Sequence, residues 1–444
     1  MANEERQTWS SRVTYILTVA GATIGFGATW RFPYLVGQNG GGAYVLLFCI
    51  CMLVIGIPMI LVENVIGRRR QVNCVDAFGG TANGKKINPL WKIVAYMGLA
   101  GCFGIIAYYM VIGGWVFSYI YDVISGALPI GQEVDAAFTE KFYEESIVNS
   151  PYAITIFTAL FVAINWFILS KGIIDGIERS VRFLMPILFI FLLVMVIRNV
   201  TLPGSMEGIS FYLKPDFSKI TPQLFIFVLG QVFFALSLGF GVLITLSSYL
   251  SKQEDLVKTS IITAIINTLI AVMAGFMIFP SLFSFGLSPD SGPSLVFKTL
   301  PIVFSKMAFG AVFGVIFFVL LLVAALTTSV TLYEVLITAL SEKAKMNRQL
   351  AIAIVLLGTF ILGNIPSAFS SSIFDWFDFT SGNILFVLTA LGTCLFTGFC
   401  LKDEAKKELS YCAGPTTVNV WYNYVKYVLP IIILVVFFYG LFFN

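Results

Sequence analysis

Long apolar runs follow one another along almost the whole chain and are separated by short polar stretches. A membrane-spanning helix needs about 20 predominantly apolar residues. On that measure the pattern predicts eleven spans, at residues 12–36, 42–67, 90–123, 152–170, 178–199, 222–249, 257–283, 307–340, 349–366, 376–400 and 420–442. The sequence therefore predicts an all-α polytopic membrane protein.

The first span differs from an ordinary lipid-facing helix. Gly21, Gly25 and Gly27 lie within it, and Arg31 and Pro33 follow directly. Inside a membrane, backbone groups freed by a broken helix are tolerated only where they are buried in protein or line a cavity. We therefore expect a break in this span, with free carbonyls and amides that suit ions and polar solutes.

A similar short motif recurs five spans later. The first span contains IGFG at Ile24–Gly27, and the sixth contains LGFG at Leu238–Gly241. An odd offset places the two copies in opposite orientations, which is typical of inverted repeats with paired broken helices around a midplane site. The alternative is chance recurrence of a tripeptide in a chain with 38 glycines. The predicted organisation is a cytoplasmic N-terminal segment at 1–11, a five-helix repeat at 12–199, a second, inverted five-helix repeat at 222–400, and an additional C-terminal helix at 420–442.

Composition agrees with a membrane protein, and charge predicts its orientation. Only 11% of the residues are charged, against about 25% in soluble domains, and the net charge of +3 gives no reason to expect a nucleic-acid partner. Basic residues collect at Arg68–Arg70 and Lys402–Lys407, whereas the loop near 124–150 is acidic. The positive-inside rule then predicts a multi-pass protein of the cell (inner) membrane with a cytoplasmic N-terminus and an external C-terminus.

The residue types give little reason to expect catalysis or a metal site. Histidine is absent, and the seven cysteines are scattered without the spacing of a metal site. No nucleophile with a neighbouring base is visible, so we do not expect an enzyme. No obligate protein partner is evident, and the expected surroundings are the lipid bilayer.

Four motifs carry a family resemblance: WRFPY and NGGGA within Gly21–Tyr44, GQVFFALSLGFG at Gly230–Gly241, and AALTTS at Ala324–Ser329. Together they resemble the neurotransmitter:sodium symporter family, especially bacterial members with eleven helices. The resemblance implies a LeuT-type fold, which is a 5+5 inverted repeat with broken first and sixth helices plus one further helix. It also implies sodium-coupled import of an amino acid by alternating access.

The resemblance implies a sodium site between the first and eighth spans, the second site of the family. Two adjacent hydroxyls and several carbonyls offer a hard cation the oxygen ligands that it prefers. The alternative is ordinary bonding of each threonine hydroxyl to its own helix. The implied ligands are Gly21, Ile24, Ala324, Thr327 and Thr328.

The first sodium site of the family is incomplete here. Thr23 and Asn267 remain as candidate ligands, but Ala28 and Ala235 occupy positions where the family carries side-chain oxygens. We therefore expect one sodium ion and doubt a second. Chloride dependence is not predicted, because Phe48 and Ala271 replace the polar residues found at chloride-related positions.

For the substrate, the resemblance and the residue chemistry both indicate an amino acid with an apolar side chain. Backbone amides at the start of a half-helix suit a carboxylate, and the hydroxyl of Tyr109 can donate to the same group. Carbonyls and the Ser237 hydroxyl suit an ammonium group, and apolar residues form a wall. The candidate substrate residues are Thr23, Phe26, Gly27, Ile105, Tyr109, Phe234, Ser237, Phe240, Thr328 and Leu332.

Charges close to the membrane are costly and usually functional. Arg31 and Asp378 resemble an outer gate that closes by direct or water-bridged contact. The inner gate implied by the resemblance consists of Arg6, Trp9, Tyr249 and Glu342. Glu63 and Glu334 are expected either to brace the broken segments or to couple transport to protons.

Other transport functions stay open at this point. The same fold could carry an amine or another small solute, or use protons in place of sodium. A channel is a further alternative, although paired charged gates and a midplane site fit alternating access better.

Overall fold

The computed structural model describes residues 8–130, 132, 134–289 and 295–442, and it is almost entirely helical. Within that part of the chain, ten helices are long and apolar enough to cross a membrane. They lie at Arg12–Gln38, Gly42–Arg70, Pro89–Ser125, Pro151–Ser170, Ile173–Val200, Leu256–Ser284, Gly310–Ala344, Arg348–Phe369, Ser371–Leu401 and Pro415–Gly440. The remaining predicted span, the sixth, is divided into Pro222–Ala235 and Val242–Ser247.

Both interruptions fall where the glycine pattern predicts them. In the first span, Gly25 leaves the helical region with φ 13° and ψ −152°, and a widened turn at Gly27–Arg31 follows before the helix resumes at Phe32. In the sixth span the helix ends at Ala235 and resumes at Val242. Between them Ser237 has a φ of +52°, a left-handed conformation that is uncommon for a non-glycine residue.

Shorter elements connect the spans. A two-residue hairpin pairs Thr81–Ala82 with Lys85–Lys86 between the second and third spans. The surface helices lie at Cys74–Ala77, Ala136–Tyr143, Ser205–Leu213, Thr299–Ser305 and Asp403–Ser410, and a single turn lies at Phe217–Lys219.

The first span is buried in the interior of the bundle, and the eighth span packs along it. The eighth span also packs against the third and the fifth. The second half of the sixth span lies against the second span. Apolar side chains that remain exposed, such as Ile156, Phe183 and Phe438, lie on the outside, where the hydrocarbon of a bilayer would cover them. The predicted fold class is confirmed, and the interrupted spans are surrounded by protein.

Candidate functional site

A small cavity lies between the two interruptions, with about 270 Å³ of space not filled by atoms. All ten predicted substrate residues line it, together with two that the sequence did not indicate. The lining residues are Ala22, Thr23, Gly25, Phe26, Gly27, Ile105, Tyr109, Phe234, Ser237, Phe240, Thr328 and Leu332.

One end of the cavity is polar. The backbone N–H of Phe26, at the start of the second half of the first span, donates to the Tyr109 hydroxyl at 3.3 Å. Gly25 lies beside them, at a position that has no space for a side chain. A Cβ atom there would lie 2.5 Å from both the Tyr109 hydroxyl and the Thr328 hydroxyl. The Phe26 amide, two hydroxyls and a positive helix end therefore converge where an anionic group can be held.

The opposite side of the cavity is apolar. Ile105 and Leu332 are buried on the third and eighth spans, and Phe240 comes from the sixth. The rings of Phe234 and Phe240 meet edge to face, with centroids 6.3 Å apart. Apolar walls with a few converging polar groups are what small-molecule sites usually provide.

Side chains from the sixth span hold the interrupted segments together. The Ser237 hydroxyl donates to the Ala22 carbonyl at 3.1 Å, and the Gln231 amide donates to the Gly27 carbonyl at 2.8 Å. The Ser237 hydroxyl thus already bonds the first span. Sequence reasoning missed Gln231, although a glutamine deep within an apolar half-helix is itself a signal of a buried partner.

Four of the five candidate ligands of the second sodium site lie in direct contact. The Thr328 hydroxyl donates to the Gly21 carbonyl at 2.8 Å, and the Thr327 hydroxyl donates to the Ala324 carbonyl at 2.9 Å. Gly21 lies against Thr327, since a Cβ added to Gly21 would be 3.0 Å from Thr327 Cβ. The fifth, Ile24, is fully buried nearby in the first span. The Thr327 bond lies within one continuous helix, Gly310–Ala344, whereas the Thr328 bond joins the eighth span to the first. These hydroxyl and carbonyl oxygens are neutral ligands of the type that a hard cation accepts.

The candidate first sodium site offers fewer oxygens. The Thr23 hydroxyl donates to the Val19 carbonyl of its own helix at 2.9 Å, and the Asn267 amide donates to the Ala235 carbonyl at 3.0 Å. The Asn267 side-chain oxygen is buried and has no hydrogen-bond partner within the described residues. Ala28 is also fully buried and contributes only a methyl group. One side-chain oxygen is therefore present where the family uses several.

The residues of the predicted outer gate stand above the cavity without closing into an ion pair. The guanidinium carbon of Arg31 lies 4.2 Å from the centre of the Phe234 ring. Asp378 and Tyr34 are close enough to interact electrostatically with Arg31. Among the described residues, however, no ion pair within 4.0 Å joins Arg31 to Asp378. Arg31 thus covers the Phe234 side of the cavity.

Three of the four predicted inner-gate residues are described, and Arg6 lies outside the described residues. The Trp9 indole donates to the Leu246 carbonyl at 2.9 Å, and the Trp9 and Tyr249 rings meet edge to face at 6.0 Å. Glu342 accepts hydrogen bonds from the backbone and side-chain amides of Asn73, both at 2.9 Å. The chain before the first span is therefore bound to the second half of the sixth.

The two deep carboxylates have different surroundings. One Glu63 oxygen accepts a hydrogen bond from the Gly239 amide at 2.7 Å, so this side chain braces the interruption of the sixth span. Its other oxygen is buried and lacks a hydrogen-bond partner within the described residues. Glu334 instead pairs with both terminal nitrogens of Arg348, at 2.9 and 2.6 Å, and accepts from the Tyr249 hydroxyl. Glu334 thus links the eighth and ninth spans to the inner gate.

Comparison with known proteins supports the family resemblance that the sequence motifs indicate. A family model described as the sodium:neurotransmitter symporter family matches residues 6–156 and 145–443. An uncharacterized sodium-dependent transporter of Haemophilus influenzae is 66% identical over 99% of both chains. The uncharacterized sodium-dependent transporter YhdH of Bacillus subtilis is 34% identical over 98% of both. The crystal structure of MhsT in complex with L-phenylalanine is 35% identical, covers 98% of this chain and 100% of its own, and superimposes with a TM-score of 0.87.

Proposed function

The chain belongs to the sodium:neurotransmitter symporter family, and from that premise we propose that it imports an amino acid with an apolar side chain. It is a sodium-dependent membrane transporter with the LeuT-type fold and not an enzyme. The observation that carries the proposal is the division of the cavity into a polar end at Phe26 and Tyr109 and an apolar wall. The L-phenylalanine in the complex with MhsT is an amino acid of this kind.

In the proposed complex, the substrate carboxylate accepts hydrogen bonds from the Phe26 and Gly27 amides and from the Tyr109 hydroxyl. The ammonium group lies towards the carbonyls of Thr23 and Phe234, and Ser237 assists through its hydroxyl. The side chain of the amino acid then packs against Ile105, Phe240 and Leu332. Two of these groups bond other protein atoms, the Phe26 amide with the Tyr109 hydroxyl and the Ser237 hydroxyl with the Ala22 carbonyl. Binding therefore exchanges these bonds for bonds to the substrate.

We propose that one sodium ion accompanies each substrate, at the site of Gly21, Ile24, Ala324, Thr327 and Thr328. One charge that moves through 100 mV supplies about 2.3 kcal/mol, and a tenfold sodium gradient adds about 1.4 kcal/mol. The sum of about 3.7 kcal/mol is enough to concentrate a neutral zwitterion several hundredfold. A second sodium ion is not needed for useful uptake, and chloride has no part in this scheme.

Alternating access follows from the two gates. We propose that the N-terminus is cytoplasmic, the C-terminus is external, and the protein resides in the cell (inner) membrane. With substrate bound, Arg31 and Asp378 approach each other over the cavity. On the other side, the contacts of Trp9, Tyr249 and Glu342 then release. Exposed ion pairs contribute at most about 1 kcal/mol each, which suits a gate that opens in every cycle.

The proposal is tested by uptake into proteoliposomes with a panel of amino acids while sodium, chloride and pH are varied separately. The double variant Thr327→Ala and Thr328→Ala should abolish sodium-stimulated uptake. Thr331→Ala is the matched control, because this buried hydroxyl in the same span bonds only the Thr328 carbonyl. Unchanged sodium dependence in the double variant would refute the site, and saturable uptake of amines alone would refute the substrate class.

Proton coupling is the second candidate, and the buried Glu63 oxygen without a hydrogen-bond partner favours it. In that case a pH gradient without sodium should drive uptake, and Glu63→Gln should remove the response. If the pH gradient has no effect on uptake in either protein, Glu63 is a structural brace.

A further inference from the structure

A long apolar groove lies on the outside of the bundle, away from the substrate cavity. It has a volume of about 870 Å³ and runs between the third, eighth and ninth spans. Its walls include Leu99, Phe103, Leu336, Ile354 and Leu362. Gly358 forms part of its floor, and a Cβ atom added there would meet no atom within 4 Å. The groove is therefore open, apolar and wide enough for a hydrocarbon chain.

The length of the groove matches one leaflet of a bilayer. The wall formed by the third span, from Tyr96 to Phe103, advances about 10 Å along its helix, and the wall from Ile354 to Leu362 advances about 12 Å. Half of the hydrocarbon core of a bilayer is about 15 Å thick. The groove thus begins near the ends of its spans, beside Lys343, and reaches towards the membrane centre.

A cluster of cations lies at the mouth of the groove. Lys343, which lines the groove, and Lys92 both bond the same Asp76 oxygen, at 2.6 and 2.7 Å. The Arg70 guanidinium donates to the Asp76 carbonyl. The two lysine side chains remain 33% and 30% exposed, so an anion can reach them.

The cluster keeps a net positive charge. Burial opposes ionisation of Asp76, but hydrogen bonds from Lys343, Lys92 and Asn73 hold its pKa well below the usual range. At neutral pH the Asp76 carboxylate therefore faces three cations. The Glu342 carboxylate shares the Asn73 amide with Asp76, so the net charge of these five groups is about +1. Cationic side chains at a membrane surface attract anionic headgroups.

We propose that this groove binds one anionic phospholipid of the cytoplasmic leaflet, with an acyl chain along the third, eighth and ninth spans and its phosphate on Lys92 and Lys343. Val75, in the short helix Cys74–Ala77, also lines the groove. Asn73, the residue directly before this short helix, bonds Glu342 of the inner gate. The bound lipid therefore contacts the connection between the second and third spans, which Glu342 of the inner gate also bonds. The leaflet follows from the proposed orientation, whereas the binding itself does not depend on it.

Native mass spectrometry of the purified protein tests the proposal, with titrated phosphatidylglycerol and phosphatidylcholine of the same acyl chains as probes. The wild type should retain phosphatidylglycerol at least fivefold better than phosphatidylcholine. Lys92→Gln with Lys343→Gln should reduce this ratio to about one. The control Lys85→Gln with Lys86→Gln removes the same charge from the exposed hairpin and should leave the ratio unchanged. Equal retention of both lipids by the wild type, or an unchanged ratio in the Lys92 and Lys343 variant, would overturn the proposal.

A second variant covers the case in which loss of both lysines prevents folding. Gly358→Leu fills the groove and leaves the charge cluster intact. It should lower the amount of bound phosphatidylglycerol at least fivefold. Gly440→Leu places the same side chain at another open glycine, in the eleventh span, and should have no effect. If Gly358→Leu binds as much phosphatidylglycerol as the wild type, the groove is not the lipid site.

Discussion

The Tyr109 hydroxyl is the side-chain group through which substrate recognition can be tested most directly. In the substrate-free cavity it accepts a hydrogen bond from the Phe26 amide. In the proposed complex it turns to donate to the substrate carboxylate. Tyr109→Phe removes this bond and leaves the ring, whose centroid lies 4.7 Å from that of Phe26, in its place.

The expected loss follows from the burial of the site. Tyr109 is only 3% exposed, so water cannot replace the missing hydroxyl. A buried hydrogen bond to a charged group contributes about 1.5–3 kcal/mol. The Phe26 amide also loses its acceptor in the substrate-free variant, and that cost to the free state offsets part of the loss. We therefore expect binding to weaken by about 1–3 kcal/mol, or about 5- to 150-fold.

The assay is equilibrium binding of the amino acid that the wild type takes up best, at saturating sodium. Tyr333→Phe is the control, because its hydroxyl is also buried, lies in the eighth span and stands outside the cavity lining. Tyr333→Phe should bind as the wild type does. Equal affinity of Tyr109→Phe and the wild type would refute the placement of the carboxylate.

Three other predictions concern ions, stability and gating. Ala28→Asn together with Ala235→Thr should raise the sodium Hill coefficient of uptake above one, and a wild-type value near two would contradict the single-ion proposal. Arg348→Gln should destabilise the protein by about 3 kcal/mol because it leaves buried Glu334 unpaired, and a second change, Glu334→Gln, should restore the melting temperature; no recovery would show that the pair is unimportant. Burial raises the pKa of the Cys74 thiol to about 12, so alkylation of Cys74 at neutral pH should be slow. The rate should increase during transport, when the inner side opens and exposes the thiol. The measurement uses a variant that lacks the other cysteines. An equal alkylation rate at rest would show that this side is already open.

Much of the fold could be predicted because membrane helices obey simple rules. Apolar length alone located the spans, and glycine placement located both interruptions. The sequence could not indicate which turn of the sixth span would unwind furthest. That depends on tertiary contacts, such as the bond from Gly239 to Glu63. The boundaries of the two repeats stay a prediction.

The candidate site was predicted less completely, for physical reasons. Gly25 indicated the break in the first span but not a place in the cavity lining, and the Ala22 methyl group gives no signal of its own. The partner of Glu334, Arg348, is fourteen residues away in the next span, and only the helix packing brings them together. The occupancy of the sodium and substrate sites stays a prediction.

The Thr328 hydroxyl bonds Gly21 and also lines the substrate cavity. Thr328 thus borders both proposed occupants. If sodium changes the position of its hydroxyl, the affinity for the amino acid changes as well. Thermodynamic reciprocity then requires equal factors: if sodium tightens the hold on the amino acid twentyfold, the amino acid tightens the hold on sodium by that same ratio. Calorimetric titrations carried out in either order should close one cycle with a common coupling constant.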